Sequence, residues 1–364
     1  MRLLRVYLLK EHAAPFLVTV SGLTVALLVG NIIFKFAELV IAKGVGLADI
    51  LRLLVYLIPH LLSFTIPMAC LIAVVLAFGR LGTDYELIAM RASGIAPVRL
   101  LFPMLTAALL ISGGLLVLND RVIPEAHLAS RRQLKAIGMK QPTAYLEAGT
   151  FIKEFSPYIL FVYQIEGRHL SHVRIYEPKP HGPTRTIVAA RGVCEPSRDG
   201  RAVRLTLSDG TIDEWDPEHP GSLYKVSFGT YAMTLTADTG TTRRLEKKMM
   251  ELTFRELVKE RERLKAEGVE VTPIAIELHR KIATSFAPLV LVMFGLALGL
   301  GRHHHERLVS FVWVLVLLMA YYLVMIGMNA VALKGWLAGW LAMWLPNILG
   351  GAVSAVWIAR TVRR

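Results

Sequence analysis

Six long stretches without a charged residue punctuate this chain, at Ala13–Phe34, Leu53–Gly79, Leu100–Asn119, Ile282–Gly301, Leu308–Leu333 and Gly335–Ala359. A helix needs roughly 20 apolar residues to cross a hydrocarbon core about 30 Å thick, so each stretch predicts a transmembrane helix. Three precede and three follow a polar insert, within which the periodicity changes. Ile159–Ile165 and Val203–Leu207 have the alternating or β-branched-rich pattern of strands. Asp199-Gly200 and Asp209-Gly210 read as two-residue hairpin turns, because glycine takes the left-handed position cheaply. Roughly eight strand segments fit between Thr143 and Leu235, which favours an antiparallel sandwich or jelly roll. Leu252, Leu257, Val258 and Leu264 then form one stripe among Glu, Arg and Lys, an amphipathic helix ended by Gly268.

The predicted fold class is therefore a membrane α-helical protein of six transmembrane helices with an inserted all-β, jelly-roll-like domain. Helices one to three occupy 1–120, with a short cytoplasmic helix over 80–94. The β domain covers 121–251, an amphipathic connecting helix 252–281, and helices four to six 282–364. Composition agrees: 54% of residues are hydrophobic and only 19% charged, with a mean hydropathy of +0.50. The first apolar run is too long for a signal-peptide core and no small-residue cleavage site follows it, so it is expected to be a retained span.

Charge sets the expected orientation. Arg2, Arg5, Lys10, Arg80, Arg91, Arg99, Arg302, Arg307, Arg360, Arg363 and Arg364 lie on the side of the termini. Only Lys35, Lys43, Arg52 and Lys334 lie in the opposite short connections. The positive-inside rule then puts both termini of a multi-pass membrane protein in the cytoplasm and the β domain outside it. The net charge of +13 is accounted for largely by these segments and needs no nucleic acid. Cys70 falls in an apolar run and Cys194 in the insert, which argues against a disulfide between them.

Catalytic motifs are absent. No Gly-x-x-x-x-Gly-Lys-Ser/Thr occurs, so the chain has no P-loop of its own for ATP. His303, His304 and His305 precede Glu306, but a zinc-binding His-Glu-x-x-His would need histidine where Val309 stands, and no metal site is expected. Gly295-x-x-x-Gly299 permits close helix approach. Trp336, Trp340 and Trp344 suit an interfacial anchor. Lys35 and Glu38 sit at the outer end of the first run, either snorkelling to the interface or facing an anionic ligand. Between the second and third runs, Gly79-Arg-Leu-Gly-Thr-Asp-Tyr-Glu-Leu-Ile-Ala-Met-Arg-Ala-Ser-Gly94 reads as a short helix, with Asp84 and Glu86 early and Arg91 late. Its mixed charged face suits a protein groove better than a lipid surface.

That stretch resembles the cytoplasmic loop of the LptF/LptG (YjgP/YjgQ) family of lipopolysaccharide export permeases. Ile175-Tyr-Glu-Pro178, Arg185–Arg191, Leu207-x-Asp-Gly-Thr-Ile-Asp-Glu-Trp-Asp-Pro217, Phe228-x-x-Tyr231 and Glu277-Leu-His-Arg-Lys-Ile-Ala283 resemble the family too. The wording of the loop and of 277–281 leans towards LptF over LptG. The resemblance implies a non-catalytic subunit paired with its paralogue on an LptB-type ATPase dimer, which alone binds ATP and Mg. Lipopolysaccharide would be extracted from the outer leaflet and handed to the β domain, then to LptC and LptA. It implies that Glu86 is the acidic ATPase-coupling residue, with Asp84, Tyr85 and Arg91 around it, and that Lys35 meets the lipid's phosphates, beside Glu38. The histidine run is a departure from the family. The competing readings are an ion-coupled transporter acting alone and a membrane-anchored periplasmic binding protein.

Overall fold

The computed structural model describes residues 2–41, 46–96, 98–140, 149–152, 155, 157–178, 185–196, 203–215, 223–235, 247–301 and 307–363. They divide into two units, one formed by Met1–Gly30, Val55–Leu128 and Lys247–Arg364, the other by Asn31–Leu54 and Ala129–Glu246.

The first unit is helical, and the second takes 31–41, 47–54 and 129–140 of the chain's helices. In chain order the helices are α1 (Arg2–Ile41), α2 (Leu47–Thr83), α3 (Glu86–Ala92), α4 (Val98–Val117) and α5 (Ile123–Lys140), then α6 (Phe254–Ala266), α7 (Thr272–Ser285), α8 (Ala287–Gly301), α9 (Arg307–Leu333) and α10 (Gly339–Arg363). A π-helical turn, Leu118–Val122, joins α4 to α5 without a break. Five segments are long and apolar enough to span a membrane: Leu3–Gly30, Leu47–Thr83, Val98–Leu134, Val309–Leu333 and Gly339–Thr361. The fourth predicted span differs from expectation. It is a pair, α7 and α8, bent by 41° and counting as one crossing only when taken together. Pro288 explains the break: its missing N–H and its ring exclude a helical bond to the carbonyl of Thr284. The connecting helix expected over 252–281 is accordingly two helices, with Gly268 at φ +72° after the first and α7 already part of the bent span.

A break inside hydrocarbon would strand backbone groups at a cost of several kcal/mol each, so neighbours must satisfy them. Asn347 Nδ2 of α10 donates to the Ala283 carbonyl at 2.7 Å, and Tyr321 of α9 donates to Asn347 Oδ1 at 2.8 Å. From the other side Asn119 Nδ2, within the π turn, donates to Ser285 Oγ at 3.0 Å. Below the bend, α8 lies close against α2. A Cβ on Gly295 would stand 3.0 Å from Val74 Cβ, and one on Gly299 only 2.6 Å from Phe78 Cβ. The Gly-x-x-x-Gly pair is thus used for helix approach.

The second unit contains one antiparallel sheet of β1 (Phe151–Ile152), β2 (Ile159–Glu166), β3 (His169–Glu177), β4 (Arg185–Pro196), β5 (Val203–Trp215) and β6 (Leu223–Leu235), in sequence order. The described strands pair only with their sequence neighbours, as an open meander; the crossover pairings of a jelly roll are not among them. Six strands are described where about eight had been expected from the pattern. The helix of α5 runs to Lys140, well past the expected start of the β domain at 121.

One expectation fails outright. Asp209-Gly210 is not a hairpin turn but the middle of β5, where Gly210 pairs with Ala189 on one side and Phe228 on the other. The left-handed backbone is present, with Asp209 at φ 56° and His172 of β3 at φ 53°, but it serves another purpose. Inward positions on β5 are Val203, Leu205 and Leu207 before Asp209, and Ile212 after it; on β3 they are Leu170, then Val173 and Ile175. The alternation slips by one at the same level of neighbouring strands while the pairing register stays unchanged. A one-residue slip would otherwise turn every later side chain to the wrong face. Here it occurs in step, so both halves keep an apolar face in one cluster. Only glycine fits at 210, since a Cβ would meet Phe228 Cζ at 2.4 Å and the Val188 carbonyl at 2.5 Å. Cys194 lies in this cluster as a free thiol, and burial pushes it up to about 12. Asp199-Gly200 lies outside the described residues.

Gly299→Ala is expected to force α8 off α2 at a cost of about 1–3 kcal/mol, seen as a lower melting temperature of the detergent-solubilised protein. Gly113→Ala, where nothing lies within 4 Å, is the control and leaves it unchanged or raised.

Candidate functional site

At the end of the bundle that holds the start of α1, three segments meet. α2 continues to Thr83, so Arg80–Thr83 belong to the span and not to the short helix expected over 80–94. Tyr85 then takes a left-handed conformation, φ 59°, which turns the chain sharply and lets α3 begin at Glu86. Two backbone bonds close its far end around Gly94, which sits at φ +77°: Gly94 N to Arg91 O and Ile95 N to Met90 O, both 3.0 Å. Leu87 is buried with Leu8, Phe78, Leu81 and Leu100, anchoring the helix on α1, α2 and α4. Tyr85 is 66% exposed and Ile88 52%, so the opposite face is open.

Glu86 is not free in this arrangement. The Tyr7 hydroxyl of α1 lies 2.7 Å from Oε2 and 3.0 Å from Oε1, sharing its proton between the two oxygens. A second tie runs alongside. Arg80 Nη1 pairs with Glu11 of α1, and Arg80 Nε with Asp84 Oδ2 at 3.4 Å. Arg91 reaches towards α8, its Nη2 3.5 Å from the Leu300 carbonyl. The structure thus gathers Asp84, Glu86 and Arg91 at one end of the bundle and adds Tyr7, Glu11 and Arg80, which the sequence pattern had not singled out as contacts. A signal was available: Tyr7 and Glu11 stand four apart, on one helical face, just before an uncharged run. Lys35 and Glu38 fall on α1, but their side chains lie outside the described residues, as do His303, His304 and His305.

A polar cluster sits within the first unit, on residues that the sequence pattern assigned to the amphipathic connecting helix 252–281. Glu277 and Lys281 of α7 are 8% and 5% exposed. Arg280 grips both oxygens of Glu277, at 2.6–3.1 Å. Lys281 Nζ donates to the carbonyls of Leu252, at 2.7 Å, and Met250, at 3.3 Å. Asp120 of the π turn accepts from the Phe254 amide at 2.7 Å, beside the Thr253–Glu256 capping box that opens α6. At Glu256 burial works against ionisation, but bonds from Lys247 and Thr253 more than offset it and hold its carboxyl below the ordinary value. The segment that follows the β strands in sequence is therefore fastened to α7 and to the π turn. Next to it, His60 and His127 stand 5.0 Å apart, centroid to centroid. They line a cavity of about 30 Å³ with Asn119, Glu277, Arg280 and Lys281, room for one or two waters. The sequence reading missed the cluster because it began the fourth span at Ile282, past these charges.

Residues 6–360 match the family model described as Lipopolysaccharide export system permease LptF/LptG. The chain belongs to the LptF/LptG family. The match runs from α1 into α10 and includes the sheet, so the β insert is part of the family's architecture. The chain is also 24% identical over 243 residues to an uncharacterized protein of Rickettsia prowazekii (strain Madrid E), an alignment that spans 66% of each chain, just under two thirds. Between two spans of this chain, α3 is thus a helix of seven residues, open on one face and tied to α1 on the other.

Replacing Lys281 with methionine removes a charged donor from two carbonyls and is expected to loosen the segment before α6. Hydrogen exchange at the amides of 250–257 should rise about tenfold or more relative to the parent protein, with exchange in α3 unchanged.

Proposed function

We propose that this chain is the LptF-type, non-catalytic permease subunit of an ATP-driven lipopolysaccharide exporter. It would work with an LptG-type paralogue on an LptB-type ATPase dimer, which alone binds ATP and Mg. Both termini would be cytoplasmic, which places α3 against the ATPase and the β domain in the periplasm. The observation that carries the reading is the bond between Glu86 and Tyr7, within a chain whose family match covers 6–360. Docking of the ATPase on the open face of α3, at Tyr85 and Ile88, would shift Glu86 and Asp84. Through Tyr7 and the Arg80–Glu11 pair, that shift would reach α1 directly.

At its outer end α1 carries Lys35 and Glu38, proposed to meet the phosphates of lipopolysaccharide. The inner face of the sheet is apolar, its Ile, Leu and Val joined by Phe155, Cys194 and Met233, and would suit acyl chains. The long strand β6 has no neighbour beyond it among the described strands, and it exposes Tyr224 and Val226. It can extend the sheet into LptC, and from there to LptA, by adding a strand. A buried acid such as Glu277 would also suit an ion-coupled transporter, but Arg280 already occupies both of its oxygens.

Affinity purification of the full complex tests the reading. Glu86→Ala is expected to reduce recovery of the ATPase roughly tenfold or more, because losing the Tyr7 bond frees α3 and the face that carries Tyr85 and Ile88. Lys35→Glu is expected to spare assembly and lower lipopolysaccharide-stimulated ATP hydrolysis. Wild-type recovery and stimulation with both variants would sink the proposal.

A further inference from the structure

Beside the α3 tie, and separate from it, lies a cavity of about 470 Å³ between α1 and α4, lined by Leu4, Arg5, Leu8, Val98, Arg99 and Phe102. Its volume is in the range of small-ligand sites. Two features of its chemistry stand out against the rest of this end of the bundle. The lining carries two arginines and no acid, and neither arginine has an ion pair among the described residues. The nearby carboxylates are already engaged, Glu11 and Asp84 by Arg80 and Glu86 by Tyr7. Arg5 is instead held over the Phe102 ring, its Cζ 5.3 Å from the centroid, which keeps the guanidinium edge available for hydrogen bonds. Val98 and Arg99 also form the first turn of the twenty-residue α4, whose amide dipoles add to the positive potential.

The remaining walls are apolar, and they continue away from the arginines. Phe102 is 57% exposed, and seven and eight residues further along α4 stand Leu109 and Leu110, at 54% and 77%. These positions share one helical face and extend roughly 11 Å along the span. A soluble anion would use the arginines and leave this lane empty. An acidic protein surface would have no use for a lane that runs along a membrane-spanning helix.

We propose that this pocket is a binding site for an anionic phospholipid, with the headgroup phosphate between Arg5 and Arg99 and an acyl chain laid along Phe102, Leu109 and Leu110. Basic pockets between transmembrane helices are suited to such headgroups, by charge and by position at the interface. The site is distinct from the lipopolysaccharide site proposed at the opposite end of α1, and it does not depend on the ATPase. Its consequence is a lipid wedged against α1 and α4, next to the helix that the partner would move.

Native mass spectrometry of the full chain, after equilibration with mixed micelles of equal phosphatidylglycerol and phosphatidylcholine, tests the assignment. The parent protein is expected to retain phosphatidylglycerol preferentially. R5Q and R99Q should each lower that retention about fivefold and the double variant about 25-fold, without changing phosphatidylcholine. R5K/R99K should keep most of the preference, which loss through misfolding would not allow, and K10Q should keep all of it. Equal retention of the two lipids by the parent, or an unchanged preference in R5Q/R99Q, overturns the proposal. Displacement of the lipid by inorganic phosphate would reveal a free-anion site, and displacement by added ATPase a protein-docking site; either result overturns the lipid assignment.

Discussion

A single phenolic proton, shared between the two oxygens of Glu86, joins the first helix of this chain to the loop between the second and third. Most of what surrounds it exists to put those groups within reach. Tyr85 adopts a left-handed backbone so that α3 starts at Glu86 and not a turn later. Leu87 is sunk among Leu8, Leu81 and Leu100, fixing the helix against α1 and α4. Arg80 spans from Glu11 to Asp84 and doubles the tie. Individually these exposed polar bonds add little to stability. Their geometry is directional, since they link α3 and the end of α2 to Tyr7 and Glu11 on α1.

The lipid environment imposes the second constraint. The α7–α8 pair breaks at Phe286, two residues before Pro288; there Asn347 donates to the Ala283 carbonyl, and from the other side Asn119 donates to the Ser285 hydroxyl. The same asparagine lies in the π turn that carries Asp120, and Asp120 holds the amide of Phe254. Polar side chains in this bundle therefore do two jobs at one place: they repair a helix break and fasten the segment that follows the β strands. That economy fits a protein whose polar groups inside hydrocarbon must each justify their desolvation.

Hydropathy disclosed the apolar spans and the insert, since twenty-residue apolar runs have few other uses, and the placing of Asp84, Glu86, Arg91 and Gly94 disclosed the short loop helix, though over 80–94 and not Glu86–Ala92. The family resemblance, drawn from the loop and strand wording, is matched over residues 6–360. The failures have physical causes. A proline two residues into α8 divided a run that counted as one span. Asp209-Gly210 has the composition of a turn, but whether a left-handed residue reverses a chain or merely slips its pleat depends on the strands on either side, and those are long-range partners. Tyr7 was missed for a similar reason: the Tyr7–Glu11 spacing marks a polar helical face, but the acceptor of Tyr7 is 79 residues away and no local pattern names it.

The central claim is that Tyr7 and Glu86 act as one unit in passing the ATPase's movement to α1. A double-mutant cycle on lipopolysaccharide-stimulated ATP hydrolysis in the reconstituted complex tests it most directly, using Tyr7→Phe, Glu86→Gln and the pair. The account predicts that the double variant loses little more stimulation than the more damaging single one, because either change breaks the same bond. Independent, additive losses, or full stimulation in Tyr7→Phe, would contradict it.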